Sequence, residues 1–310
     1  EQLSNNPGGL KKGTGSSQSF NVVEAEGDDL IHSDGKTAQK AIELLHKYKE
    51  MEKPFFLAVG FVRPHVPLVA PKKYFDAYPL AEIVLPPKIP GDQNDIPQNP
   101  ANRRTTDNYK MDLNQQKGTL RAYYASVSFV DALVGKILGA LETTGQRDNT
   151  IVIFTSDHGY HLGEHDLWQK VSIHEESARV PLIICVPGKK TAVCHSLSEL
   201  IDLYPTVSQL CGLKIPGNVQ GKDISIMFDD PTVKVRDAAL SSGKGRLLRT
   251  EKWALLDYGK KGELYDMEKD PKQYENLFDK PEYAETLVML KEKLKAKLNE
   301  IEKHDLYLNK

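Results

Sequence analysis

The chain has 310 residues, and its 41 Lys and Arg nearly balance its 43 Asp and Glu, for a formal net charge of −2. That balance excludes a strongly basic nucleic-acid binder and argues against a polybasic membrane protein. With 39% hydrophobic residues the chain can bury a sizeable core in about two domains without staples. No run approaches the ~18–20 apolar residues of a membrane span. Cys185, Cys194 and Cys211 are too few for a disulfide framework and form no C-x-x-C pair. The first residue is Glu, so a piece upstream is expected to be missing, and a targeting segment cannot be judged.

In chain order, residues 1–28 are rich in Gly, Ser, Asn and Gln and read as a loop or mobile terminus. A helix is expected from Ser33 or Asp34 to Lys49, with Ala38, Ala41, Ile42, Leu45 and Tyr48 at helical spacing. The apolar run 55–61 reads as a strand covered on both faces, ending at Arg63-Pro64-His65-Val66-Pro67. Residues 67–115, punctuated by Pro and Asn, read as an extended surface excursion. From about 116 to 143, Leu120, Tyr124, Val127, Val130, Val134, Ile137, Leu138 and Leu141 predict the strongest helix of the chain, stopped by Gly145.

Buried strands are expected at 150–155 and 180–186, and a helix at about 197–211. Helices alternating with short apolar strands predict an α/β fold with a mostly parallel sheet sandwiched by helices. After 221 the pattern changes to half-exposed strands at 246–250 and 253–258, a turn, a strand at 263–266, and an amphipathic helix at 281–303. The expected division is therefore a flexible segment 1–28, an α/β domain 29–220, and an α+β subdomain 221–310 built from a small antiparallel sheet and a helix.

Ligands of open α/β sheets bind beyond the carboxyl ends of the strands. Two predicted strand ends carry suitable residues. Asp157 and His158 can converge where the chain turns through Gly159, offering a carboxylate oxygen and an imidazole nitrogen to a divalent cation. The plainer alternative is an Asp that caps a loop by accepting from backbone amides. His158, His161, His165 and His174 fall within seventeen residues, which is dense. His65, held between two prolines, suits a positioned side chain, although a lone His is more often structural. Arg63 beside it would serve an anionic ligand. Lys170 alone is a solvated charge, and His161 and Trp168 either line a pocket or pack.

The run Thr155-Ser156-Asp157-His158-Gly159-Tyr160-His161-Leu162-Gly163-Glu164-His165-Asp166-Leu167-Trp168-Gln169-Lys170 resembles the C-terminal half-signature of type I sulfatases, in the alkaline phosphatase superfamily. Residues 55–67 resemble the matching segment of the iduronate-2-sulfatase-like branch, and supporting blocks lie at 180–188, 202–206 and 263–271. The resemblance covers about 30–310. It implies a metal-dependent sulfuric ester hydrolase acting on sulfated carbohydrate, with 2-O-sulfated uronic acid the expected type, in glycosaminoglycan degradation. Asp157 and His158 would be ligands of a divalent cation, usually Ca2+. Calcium prefers oxygen ligands, which makes His158 the less ordinary of the two. Lys170 would contact the sulfate, and His65 the sulfate or the leaving-group oxygen, as general acid. Arg63, His161 and Trp168 are held as substrate-pocket residues. The compartment implied is periplasmic, secreted or lysosomal.

One departure matters. Sulfatases make a formylglycine nucleophile from Cys or Ser in a C/S-x-P-x-R motif, and this sequence has none. The paired N-terminal metal carboxylates are absent too. The expectation is a C-terminal portion, inactive until joined by the missing N-terminal segment or chain that carries formylglycine. Losing a nucleophile costs about four to six orders of magnitude in turnover. A phosphate or phosphonate ester hydrolase of the same superfamily, and a non-catalytic piece that binds sulfated glycans, are the two alternatives.

Overall fold

The computed structural model describes residues 20–51, 53–97 and 105–302. It divides into two compact units, Glu1–Pro87 with Thr105–Val152, and Lys88–Arg104 with Ile153–Lys310. The chain thus passes between units at 87/88, 104/105 and 152/153. The predicted loop at residues 1–19 lies outside the described residues.

The first unit is organised by two helices. α1 (Ser33–Met51) turns Ala38, Ala41 and Leu45 inward at three- and four-residue spacing. α4 (Leu113–Thr143) begins with a capping box, in which Asp112 Oδ1 accepts from Gln115 N at 2.8 Å and Gln115 Oε1 from Asp112 N at 2.9 Å. By length and composition alone α4 could cross a membrane, but one face packs Leu120, Ala122, Ala125, Phe129 and Leu133 into the core. Ala38, Leu68, Ala70 and Phe75 complete that core.

Two elements were not expected. β1 (Val22–Ala25), inside the predicted N-terminal loop, pairs in parallel with β2 (Leu68–Pro71), inside the predicted excursion. β2 leads directly into α2 (Lys72–Phe75), and α3 (Thr106–Tyr109) precedes α4. Four-residue elements give too little periodicity to be read against a background of Pro and Asn. Conversely, 55–61 forms no strand ladder. It is irregular, with alternate residues half-buried and exposed, and Phe56 is 83% exposed. Its period is that of a strand, but no partner strand pairs with it among the described residues.

In the second unit, β3 (Val152–Thr155) lies beside β6 (Leu182–Cys185), shorter than the predicted strands but in place. β4 (His161–Leu162) and β5 (Trp168–Gln169) form a small hairpin, followed by α5 (Glu175–Ala178). The predicted 197–211 helix is a 3-10 turn at 200–202 running into α6 (Leu203–Leu210). Asp202, fully buried, anchors that turn through Lys222 N at 2.7 Å and the Arg236 guanidinium, which also pairs with Glu199 at 3.0 Å.

The small antiparallel sheet is present with one more strand than expected. β7 (Ala238–Ser242), β8 (Arg246–Thr250), β9 (Trp253–Asp257) and β10 (Gly262–Asp266) run in the order β10-β9-β8-β7. α7 (Ala284–Glu302) lays Leu290 and Leu294 on Leu248, Leu255 and Leu264. The opposite face buries Leu247, Ala254, Leu256 and Tyr265. Both faces are covered, so the strands expected to be half-exposed bury the middle residues of β8 and β9 and all of β10.

Candidate active site

In the first unit the segment Arg63–Pro67 is braced by α1. Asp34, in the first turn of that helix and 1% exposed, accepts from Val62 N at 3.1 Å and Arg63 N at 2.9 Å. The Arg63–Pro64 and Val66–Pro67 peptides are cis. Arg63 Nη1 donates to the carbonyls of His65 and Pro67, both at 2.7 Å. Burial pulls the Arg63 guanidinium down from its usual value, against the pull of Asp34. Arg63 therefore spends part of its donor fork as the brace of this loop, where the sequence suggested a group serving an anionic ligand. The exposed His65 ring sets Nδ1 2.6 Å from Val66 O. A carbonyl can only accept, so Nδ1 carries a hydrogen and Nε2 is the ring atom left for chemistry.

In the second unit, Asp157 and His158 follow β3 directly. Asp157 Oδ1 accepts from His158 N at 3.0 Å and from Ser156 Oγ at 3.4 Å, which is the loop cap of the plainer alternative. The other oxygen does something else. His158 Nδ1 lies 2.8 Å from Gly159 O, so it donates there, and Nε2 turns its lone pair to Asp157 Oδ2 at 3.4 Å. Two lone-pair atoms facing each other repel unless a proton or a cation lies between them. An oxygen and a nitrogen at that separation, with the carboxylate side chain 84% exposed, suit a divalent cation. They make only part of a shell: among the described residues, no group of three or more His, Cys, Asp or Glu side chains is placed to hold a metal.

The chain is then locked against α5. Gly159 N donates to Ser177 O at 2.9 Å, and a Cβ at Gly159 would overlap the carbonyl of Glu176, so only glycine fits. Beyond it the β4–β5 hairpin pairs His161 with Gln169 and Leu162 with Trp168. Gly163, His165, Asp166 and Gln169 all take positive φ. Lys170 leaves this hairpin half-buried, with no ion pair or side-chain hydrogen bond among the described residues.

His161 and Trp168 are each 1% exposed. Both face the interior, so the expectation that they line a substrate pocket is not carried forward. His161 Nε2 instead meets Ser172 Oγ at 2.6 Å. Two cavities of about 350 Å³, one along α7 and one lined by His195, Lys222 and Lys234, include none of the predicted site residues.

The remaining histidines form a buried cluster that the sequence showed only as a high density. The rings of His165 and His174 stack at 4.9 Å, and His161 lies 5.9 Å from His174. His174 Nε2 meets Glu263 Oε2 at 2.7 Å, and Glu263 also accepts from Tyr265 Oη at 2.5 Å and Tyr258 Oη at 2.8 Å. Burial works against charge on both partners, but their mutual attraction wins, raising the His174 pKa and lowering that of Glu263. Burial, with His174 and His165 nearby, pushes His161 well below the usual histidine value. His165 Nδ1 lies 3.1 Å from Asp92 Oδ2. Glu263, Tyr258 and Tyr265 were missed as site residues because they lie almost ninety positions away in sequence; Glu263-Leu264-Tyr265 was only a supporting block of the resemblance.

Comparison with known proteins gives a consistent result. The family described as Sulfatase matches residues 10–213, and the C-terminal family of N-sulphoglucosamine sulphohydrolase matches 163–301. An arylsulfatase of Clostridium perfringens is 33% identical over 285 residues, covering 85% of this chain and 57% of its own length. Human iduronate 2-sulfatase is 33% identical over 222 residues, covering 59% of this chain and 40% of its own. Among solved structures, a phosphonate monoester hydrolase of Silicibacter pomeroyi superposes with a TM-score of 0.79 at 21% identity, over 91% of this chain and 62% of that one. A sulfatase-like protein of Bacteroides fragilis, described as putative, gives 0.68 at 28%, over 85% and 58%. The chain spans about half the length of the curated relatives it matches.

Proposed function

This chain belongs to the sulfatase family, and from that premise we propose that it supplies the cation-holding and sulfate-contacting part of a sulfuric ester hydrolase. The observation that carries the reading is the convergence of Asp157 Oδ2 and His158 Nε2 at 3.4 Å, with the Nδ1 hydrogen committed to Gly159 O. A divalent cation at that pair, Ca2+ by family, would neutralise sulfuryl oxygens. Asp157 and His158 orient their donors for it through the backbone contacts of the 156–159 turn. Lys170, an ammonium without a partner among the described residues, contacts the sulfate and stabilises the charge that develops as the ester bond breaks. His65 acts as general acid. Its Nε2 hands a proton to the departing alcohol oxygen, while Nδ1–H stays on Val66 O and holds the ring in the tautomer that results. Arg63 holds that loop in shape.

The nucleophile comes from elsewhere. We infer that a polypeptide matching the remaining length of the relatives, and carrying a formylglycine, completes the enzyme. Within the first unit Phe56 and Val62 are 83% and 55% exposed. Within the second, Ile183, Ile201 and Tyr204 are 56%, 51% and 58% exposed. Large exposed apolar side chains of this kind call for cover. The substrate is a sulfated sugar, and the likeness to human iduronate 2-sulfatase favours a 2-O-sulfated uronic acid.

The test is sulfate release from a 2-O-sulfated uronate disaccharide, an aryl sulfate and a phosphonate monoester. The chain would be assayed with calcium, alone and joined to a segment bearing C/S-x-P-x-R. Release from the sulfated disaccharide only by the joined protein, lost in Asp157→Ala, is the expected result. Turnover of the phosphonate alone would favour the phosphonate hydrolase reading, which the fold likeness keeps open. Tight binding of the disaccharide without hydrolysis in the joined protein would favour a non-catalytic glycan binder.

A further inference from the structure

The buried cluster around His174 has no part in the chemistry assigned above, and its position suggests a role. Lys170 stands between two anchored points. Before it, Gln169 is paired with His161 across the β4–β5 hairpin. After it, Ser172 Oγ meets His161 Nε2 at 2.6 Å and lies 3.3 Å from His174 N, and His174 itself is tied at 2.7 Å to Glu263 on β10. The four residues from Lys170 to Ile173 are thus suspended between the hairpin and the small sheet.

We propose that His174 and Glu263 form a pH-governed clasp that positions Lys170 by fastening its segment to the small antiparallel sheet. The inference rests on the sulfate-contacting role given to Lys170 above. His174 and Glu263 are positioning residues and touch no substrate.

The groups facing His174 support a protonated ring. From β10 come Glu263 and Tyr265, from the end of β9 Tyr258, from α5 Glu176, and from the 3-10 turn at 92–94 Asp92. Against them stand the rings of His161 and His165. Glu263 accepts one bond from His174 and one from each tyrosine, and the imidazolium adds its charge to the first of these bonds. The His174 pKa is raised in the fold, so the clasp is complete below the ordinary histidine value and is lost as pH rises through the folded value. The Glu263 pKa is lowered, so on the acid side the clasp holds above the ordinary carboxylate value and is lost as pH falls through the folded one. A neutral His174 still donates one hydrogen bond, so the upper transition loosens the segment without releasing it.

The experiment is hydrogen exchange of the 169–174 amides in the full chain between pH 5.5 and 9, corrected for the intrinsic rate. Protection should fall about tenfold as His174 titrates, which corresponds to about 1.4 kcal/mol. It should be low and flat with pH in His174→Gln and in Glu263→Gln. Protection independent of pH in the unchanged chain, or a fall that survives in His174→Gln, overturns the proposal. Should those variants misfold, the His174 ring resonance of the unchanged chain decides: a pKa above the ordinary histidine range supports the clasp, and one at or below it overturns it. Tyr265→Phe, which removes one donor from Glu263, should raise the His174 pKa further. Binding of inorganic sulfate separates this from the reading beneath it. A titrating clasp beside a Lys170→Ala variant that binds sulfate unchanged would sink the role of Lys170 and leave the clasp. A sulfate affinity that depends on Lys170 but stays flat through the His174 titration would do the reverse.

Discussion

Two strand systems of the second unit, the β7–β10 sheet and the β3–β6 pair, differ in a telling way. In the β7–β10 sheet, Leu248, Leu255, Leu256, Leu264 and Tyr265 are fully buried, closed in by α7 on one side and by Ile173 and Met267 on the other. In the β3–β6 pair, Phe154 is 38% and Ile183 56% exposed, although both strands are as apolar. A strand that reads as buried on both faces but stands open on one contrasts with the closed small sheet. The small sheet is covered on both faces; the pair that leads into Asp157 and His158 is partly exposed. The strand pair that positions the candidate chemistry is therefore the more exposed one.

The sharpest way to break this contrast is activity. In the completed enzyme Asp157→Ala and Lys170→Ala should each lower turnover by at least ~10²-fold, in the range of a lost electrostatic stabiliser. In the isolated chain both should shift the urea midpoint by little, because neither side chain is packed in the core. A large loss of stability from Asp157→Ala would mean that the carboxylate is only a loop cap. Next in size is the buried polar cluster. Glu263→Ala leaves His174 buried without its carboxylate and should destabilise by ~3–5 kcal/mol near neutral pH, measured by urea unfolding. The loss should shrink as pH rises above the His174 transition, because the pair contributes less there.

Core truncations sharpen the comparison directly. Leu255→Ala on β9 should cost ~2–5 kcal/mol. Ile183→Ala on β6 should cost well under ~1 kcal/mol in the chain by itself, and several times more once the completing polypeptide is bound. Equal costs in the isolated chain would show that the two sheets are alike after all. The smallest effect is expected at the surface: Lys40→Ala, which removes an exposed pair with Glu43 at 3.0 Å, should change stability by less than ~0.5 kcal/mol.

Much of the architecture was legible beforehand, and the exceptions share a cause. α1, α4 and α7 were visible because an amphipathic stripe over nineteen to thirty-one residues repeats many times. β1 and β2, four residues each, pair with partners more than forty positions away, and no local period marks them. The run 55–61, expected as a strand covered on both faces, has one face exposed and no ladder, because hydrogen-bond partners and cover are properties of the neighbour and not of the strand. Asp157, His158 and Lys170 are candidates because they stand in one local run of residues. Glu263 was not, since its tie to His174 exists only once the sheet has folded against the hairpin.

By itself, the sequence determined which residue types stand together along one stretch: the carboxylate and imidazole after β3, the lysine after the hairpin, and the density of histidines between them. Tertiary structure alone decided which of these face outward and which are shut in. His158 aims its Nε2 at Asp157, while His161 and Trp168, equally plausible on paper, are sealed inside. The reason is physical. Chemistry needs both a group and a direction, and direction is set by hydrogen bonds and packing contributed from distant parts of the chain.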